Sequence, residues 1–274
     1  ARHLAEQEVP VVVMLHGGGG RSQSAARETG WDSKADEAGF LAVFPNAVPS
    51  DPAKPASFGN TSQLWNDGSG RFDKGQNGVD DISFLRAMLG ELSATFAVDR
   101  RRIYFTGFSN GASMTFRAGA ELSDLVAAVA PVAGTCWNEP EGQMRRPVSL
   151  CMIAGSDDPL NPLAGGLPAF ATGAKPRILE RSKPPVLDSV LKWARAVGCP
   201  ETPTSVSLTN GVRTELRSAG TNRAEVVFIT VEGLGHNWAG GASLLPEAWV
   251  GKRTEKLKAT DVIWAFFLKH TLPE

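Results

Sequence analysis

The sequence predicts an α/β fold: a mostly parallel central sheet covered by helices on both faces. Two observations carry that expectation. Short, continuously apolar and β-branched runs recur along the chain, as strands buried on both faces require. Between them apolar residues fall at helical spacing, so strand and helix alternate in repeated βα units.

The first run, 11–15, is stopped by Gly17, Gly18, Gly19 and Gly20. A helix over 32–38 leads to a second strand over 41–44, which Pro45 ends. Residues 46–78 are rich in Pro, Gly, Ser, Asn and Asp and show no period, which predicts a long surface excursion of the kind that carries function. From Asp80 onward, Ile82, Leu85, Met88, Leu89, Leu92 and Phe96 recur at helical spacing, and Asp80 and Asp81 suit a positive helix N-terminus. A strand over 103–105, a sharp turn, a helix over 110–121 and a strand over 127–132 follow. The alternation continues with a strand over 148–154, a helix over 186–197, a strand over 225–231 and a terminal helix over 260–269. No internal repeat or linker interrupts it, so residues 1–274 are expected to form a single domain.

The bulk composition narrows the partner. A hydrophobic share of 42% with 21% charged residues supports a substantial core, and a net charge of -1 gives no field for nucleic acid or an anionic membrane. No apolar run has the length of a membrane span, and 1–10 lack a signal-peptide pattern. Cys136, Cys151 and Cys199 cannot all pair within one chain and lack metal-ligand spacing, with Cys151 expected as a buried thiol. The four histidines are scattered. No metal and no cofactor are expected.

Gly107-Phe108-Ser109-Asn110-Gly111 lies between a predicted strand and a predicted helix, where a nucleophile elbow belongs. The bare G-x-S-x-G string arises by chance in roughly one of five sequences of this composition, so its context carries the argument. Flanking glycines permit a tight turn that lifts the Ser109 hydroxyl clear of the sheet, and the Asn110 amide opens the helix beside it. The turn His16-Gly17-Gly18-Gly19-Gly20 can supply a second N–H for an oxyanion, with Gly18 as the candidate donor. A dinucleotide loop also follows a buried strand, but the four consecutive glycines lack the G-K-[ST] ending of a Walker loop and compress the spaced Rossmann pattern. His236 is left as the base once terminal His3, turn-bound His16 and helix-ending His270 are set aside. It follows the 225–231 strand. The acid is Asp157 or Asp158, directly after the 148–154 strand, giving the Ser, Asp, His order of the α/β-hydrolase fold. Trp65 and Trp238 are candidates for the substrate wall, Trp238 because it stands two residues from the base.

Taken together, these motifs make the chain resemble the poly(3-hydroxybutyrate) depolymerase-like esterases, related to the feruloyl and acetylxylan esterases of carbohydrate esterase family one. The resemblance runs from about Pro10 to His270. It rests on Leu15 to Gly20, Trp65-Asn66-Asp67, Val79-Asp80-Asp81-Ile82, the 107–111 elbow, Ala130-Pro131-Val132-Ala133-Gly134, Asp158-Pro159-Leu160-Asn161-Pro162, Trp193 with Gly198-Cys199, and Gly235-His236-Asn237-Trp238. In that pattern the acid precedes the proline, which implies Asp158 rather than Asp157.

The resemblance implies a serine esterase that acts through an acyl-enzyme on small or polymeric esters, without cofactor, from a secreted or periplasmic location. Plant cell-wall feruloyl or acetyl esters are the alternative substrates. A non-catalytic ligand-binding α/β module and a nucleotide-binding oxidoreductase are the rival classes. Two departures stand out: Thr221-Asn222-Arg223 lacks the cysteine that the family often pairs with the one at Cys199, and Leu163 replaces a common aromatic. No appended substrate-binding module is expected within the chain, and its oligomeric state is not legible.

Overall fold

The computed structural model describes residues 8–51, 53–58, 61–70, 78–172, 175–178 and 182–273. Strand β1 (Val9–Leu15) leads through helices α1 (Ser22–Thr29) and α2 (Trp31–Ala38) to β2 (Leu41–Val43). Helix α3 (Asp81–Thr95), β3 (Val98–Phe108), α4 (Asn110–Glu121), β4 (Ala128–Val132) and β5 (Ser149–Gly155) come next. A small hairpin of β6 (Ala169–Thr172) and β7 (Lys175–Ile178) precedes α5 (Val186–Ala196). Strands β8 (Ser205–Thr209), β9 (Val212–Arg217) and β10 (Val226–Val231), the short α6 (Glu247–Val250) and α7 (Ala259–Phe267) complete the order.

The main sheet runs β2-β1-β3-β4-β5-β10-β9-β8. Its first six strands are parallel, and β9 and β8 add an antiparallel edge. This is the α/β-hydrolase architecture expected from the alternation of elements. Both faces of the parallel block are buried because successive side chains of each strand point opposite ways. Thus Val11, Val13 and Leu15 pack with Leu85, Leu89, Phe116 and Trp193 under α3, α4 and α5. Val12 and Met14 pack with Ala25, Trp31, Ile263 and Phe267 under α1, α2 and α7.

Helix α4 begins at Asn110 and ends at Glu121, as its sequence predicts, and Asp80 caps α3 by accepting from the Ser83 N–H. Phe96 departs from the expected apolar face: it is the C-cap and stands exposed. Helix α1 and the β8–β9 edge were not expected. All eight α1 residues are polar, charged or alanine, so no apolar period marks it. The β8–β9 turn carries Asn210 and Gly211 at φ 50 and 71, the left-handed pair that a two-residue hairpin demands. All three cysteines are buried and free. No described helix is long and apolar enough to cross a membrane.

Candidate active site

Four loops that leave the carboxyl ends of β1, β3, β5 and β10 meet over one end of the sheet, where open parallel sheets place their sites. The elbow between β3 and α4 is built by contact as well as by dihedral freedom. A Cβ at Gly107 would stand 2.3 Å from the Gly111 carbonyl oxygen, and one at Gly111 would stand 2.1 Å from that of Leu15. Neither position accepts a side chain. The turn forces Ser109 to φ 55 and ψ -115, a sparsely populated region for a residue with a side chain. Its N–H donates to the Val132 carbonyl at 3.0 Å, tying the elbow to β4.

Strands β5 and β10 are parallel neighbours in register through Gly155 and Val231, so the loops that leave them emerge side by side. One carries Asp158, the other His236. The His236 Nδ1 lies 2.7 Å from Asp158 Oδ2, and both residues are buried. Asp158 Oδ1 accepts the N–H groups of Leu160 at 2.8 Å and Asn161 at 2.7 Å. Burial alone would raise this carboxyl, but the facing imidazole and these hydrogen bonds hold it below its ordinary range. Asp157 points away: it is exposed and accepts from the Ser156 hydroxyl. The imidazole packs 4.9 Å from the Phe108 ring, next to Ser109, and Ser109 and His236 line the same cavity of about 750 Å³.

The glycine turn after β1 opens onto this cavity through Gly17, Gly18, Gly19 and Gly20. The amides of Gly19 and Gly20 donate to Gln63 O and Gly17 O. The Gly18 and Asn110 amides are therefore the candidates to face a ligand oxygen. His16 belongs to the scaffold: its Nδ1 lies 2.8 Å from Gly17 O, and Nε2 accepts the Ala47 N–H at 3.1 Å. Burial lowers its pKa to about 4, so the ring is neutral.

The tryptophans require a correction. Trp65 and Trp238 are buried and neither lines the cavity. Trp65 donates its indole N–H to His16 O at 3.1 Å, and its backbone pairs with the side-chain amide of Asn110 at 2.8 and 3.1 Å. Asn110 also donates to Asp67 Oδ2 at 3.0 Å. The Trp65-Asn66-Asp67 motif thus braces the elbow, and Asn66 is pinned in turn to Asp81 Oδ2 and Val79 O. Trp238 donates to the Thr260 hydroxyl at 2.9 Å, locking the histidine loop to α7. Leu163 packs against the core cluster under α5 rather than forming a cavity wall.

Phe58, Leu64, Phe108, Leu160, Leu244 and Leu245 supply the apolar wall instead. Arg21, Glu28 and Lys183 add charge to it. Phe108 ends β3 and Leu160 follows the acid, both inside motifs already read; the others went unmarked because they lie on or beside the unforeseen α1 and on loops without period. No group of three metal-binding side chains occurs among the described residues. A hydroxyl on a strained turn, a hydrogen-bonded imidazole–carboxylate pair and backbone N–H groups around one cavity can carry out acyl transfer.

Comparison with known proteins agrees. Residues 3–169 match the phospholipase/carboxylesterase family model. The chain is 29% identical over 269 residues to a putative esterase, NocK, of Nocardia uniformis subsp. tsuyamanensis, covering 94% of this chain and 74% of that protein. It is 31% identical to feruloyl esterase B of Piromyces equi over 65% of this chain and 32% of that one. It is 30% identical to poly(3-hydroxyalkanoate) depolymerase C of Paucimonas lemoignei over 46% of this chain and 28% of that one. The chain thus spans about a third or less of the length of the last two. The solved esterase PE8 shares the fold at TM-score 0.58 and 15% identity, covering 97% of this chain and 94% of that one. The chain belongs to the phospholipase/carboxylesterase family and is an esterase of the α/β-hydrolase superfamily.

Proposed function

We propose that the chain is a serine carboxylic-ester hydrolase working through an acyl-enzyme, with Ser109 as nucleophile, His236 as base and Asp158 orienting the imidazole. The observation that carries this reading is the buried 2.7 Å contact between His236 and Asp158 on the cavity that Ser109 also lines. His236 takes the Ser109 proton as the oxygen attacks the ester carbonyl, and the Gly18 and Asn110 amides hold the oxyanion. The imidazolium then protonates the departing alcohol. Water, deprotonated by the same imidazole, releases the acid and restores the serine. Asp158 stays ionised throughout, for which a carboxyl held below its usual range is suited.

The substrates proposed are short-chain, hydroxyalkanoate or polymer-derived esters. The likeness to a poly(3-hydroxyalkanoate) depolymerase and the largely apolar cavity of about 750 Å³ support them. A second reading takes feruloyl or acetylxylan esters, favoured by the likeness to a feruloyl esterase and by Phe58 and Phe108 in the wall. Folding as one domain and action outside the cytoplasm form part of the proposal. The test is p-nitrophenyl acetate hydrolysis by Ser109→Ala. Turnover is expected to fall by ~10³-fold or more with the circular dichroism unchanged; retained turnover would remove Ser109 from the role.

A further inference from the structure

Among the cavity's charged residues, Glu28 has no place in the acyl-transfer scheme. It stands in the last turn of α1 on the same cavity as Ser109 and His236. The backbone at Glu28 and the adjacent Thr29 is pinned by two hydrogen bonds. The Ala242 N–H donates to Glu28 O at 3.1 Å, and the Thr260 hydroxyl donates to Thr29 O at 2.6 Å. Gly241 is held so close that a Cβ there would stand 2.0 Å from Glu28 O. The segment that follows His236 therefore fixes where the Glu28 side chain begins, while Leu244 and Leu245 of that segment line the cavity with it.

No hydrogen bond or ion pair joins the Glu28 carboxyl to another group among the described residues. A half-buried carboxyl that opens onto a ligand cavity and has no such protein partner is placed to bind a polar group of whatever fills that cavity. From this placement we infer that Glu28 is a specificity-determining residue: it binds a hydroxyl carried by the substrate, on either the acyl or the alcohol portion of the ester. The inference rests on the esterase reading and deepens it. Burial pushes the carboxyl up to about 7, so near neutrality both protonation states are populated. A hydroxyl meets either state, donating to the carboxylate or accepting from the acid. An ammonium group meets only the ionised state, and Arg21 and Lys183 on the same cavity oppose a further cation.

Two substrate pairs that differ by a hydroxyl in place of a methyl group test the inference by pH-stat titration. Ethyl 3-hydroxybutyrate against ethyl 3-methylbutyrate reports the acyl portion, and 2-hydroxyethyl butyrate against n-propyl butyrate the alcohol portion. The wild type is expected to favour the hydroxylated member of one pair. In Glu28→Leu, and in the unbranched Glu28→Met as a second variant, the ratio of kcat/KM values for that pair should fall by roughly 10- to 100-fold. Glu28→Gln, which keeps a donor and an acceptor, should retain most of the ratio. Ratios unchanged in both apolar variants for both pairs would overturn the inference while leaving the esterase reading intact. Hydrolysis of none of the four esters by the wild type would overturn the reading and the inference with it.

Discussion

At the scale of single residues, two adjacent aspartates show what sequence and structure each contribute. Both follow β5, and chain order alone admits either. The structure separates them: Asp158 is buried against His236 with two backbone donors on its other oxygen, and Asp157 is exposed. Asp158→Asn is therefore expected to lower kcat by ~10³- to 10⁴-fold, because an amide cannot hold the imidazole in the same tautomer and charge balance. Circular dichroism of the variant should match the wild type, and a kcat within tenfold of wild type would take Asp158 out of the mechanism. Ser109, His236 and Asp158 were legible as candidates because the roles proposed for them demand fixed residue types after strand ends. Trp65 and Trp238 misled because an indole suits a core as well as a ligand wall, and each indole N–H finds an acceptor inside the protein, at His16 O and Thr260 Oγ1.

At the scale of elements, the elbow works because a distant loop braces it. The Asn110 side chain makes three hydrogen bonds to Trp65 and Asp67, and the same loop meets the glycine turn where Gly19 donates to Gln63 O. Asn110→Ala keeps the backbone amide but strands the buried Trp65 N–H and removes a donor from buried Asp67. It should cost about 2–4 kcal/mol in denaturant unfolding. Turnover should fall less than in Ser109→Ala, and an unaltered midpoint would show that the brace adds nothing. The parallel strands and α4 were legible because two buried faces and a helical apolar stripe impose strong periods. Helix α1 carries almost no apolar stripe, and all five residues of β8 are exposed, so neither leaves a period to read. The Asn210-Gly211 pair was the one local sign of the edge hairpin.

At the scale of the whole molecule, buried His16 and half-buried Glu28 set opposing responses to pH. His16 is lowered from 6.5 to about 4, so the unfolded chain binds the extra proton between those values and stability falls as pH drops from 6.5 toward 4. Glu28 is raised from 4.5 to about 7, so the folded chain binds the extra proton and stability falls as pH rises from 4.5 toward 7. Where the windows overlap, the two slopes offset. Glu28→Gln removes one of them. Its Tm should exceed the wild-type value by several degrees at pH 8, and between pH 6.5 and 4.5 it should fall more steeply on acidification than the wild type's. Parallel Tm curves for the two proteins would contradict this assignment.

The central claim is that the imidazole–carboxylate pair activates Ser109 for attack on a carbonyl. Intact-mass spectrometry after treatment with a fluorophosphonate reads that activation directly, since only a serine with a functioning base is phosphonylated rapidly. The account predicts one adduct per chain, mapped to the peptide bearing Ser109, absent from Ser109→Ala and strongly slowed in His236→Ala. An unmodified wild-type chain, or an adduct on another residue that persists in Ser109→Ala, would contradict it.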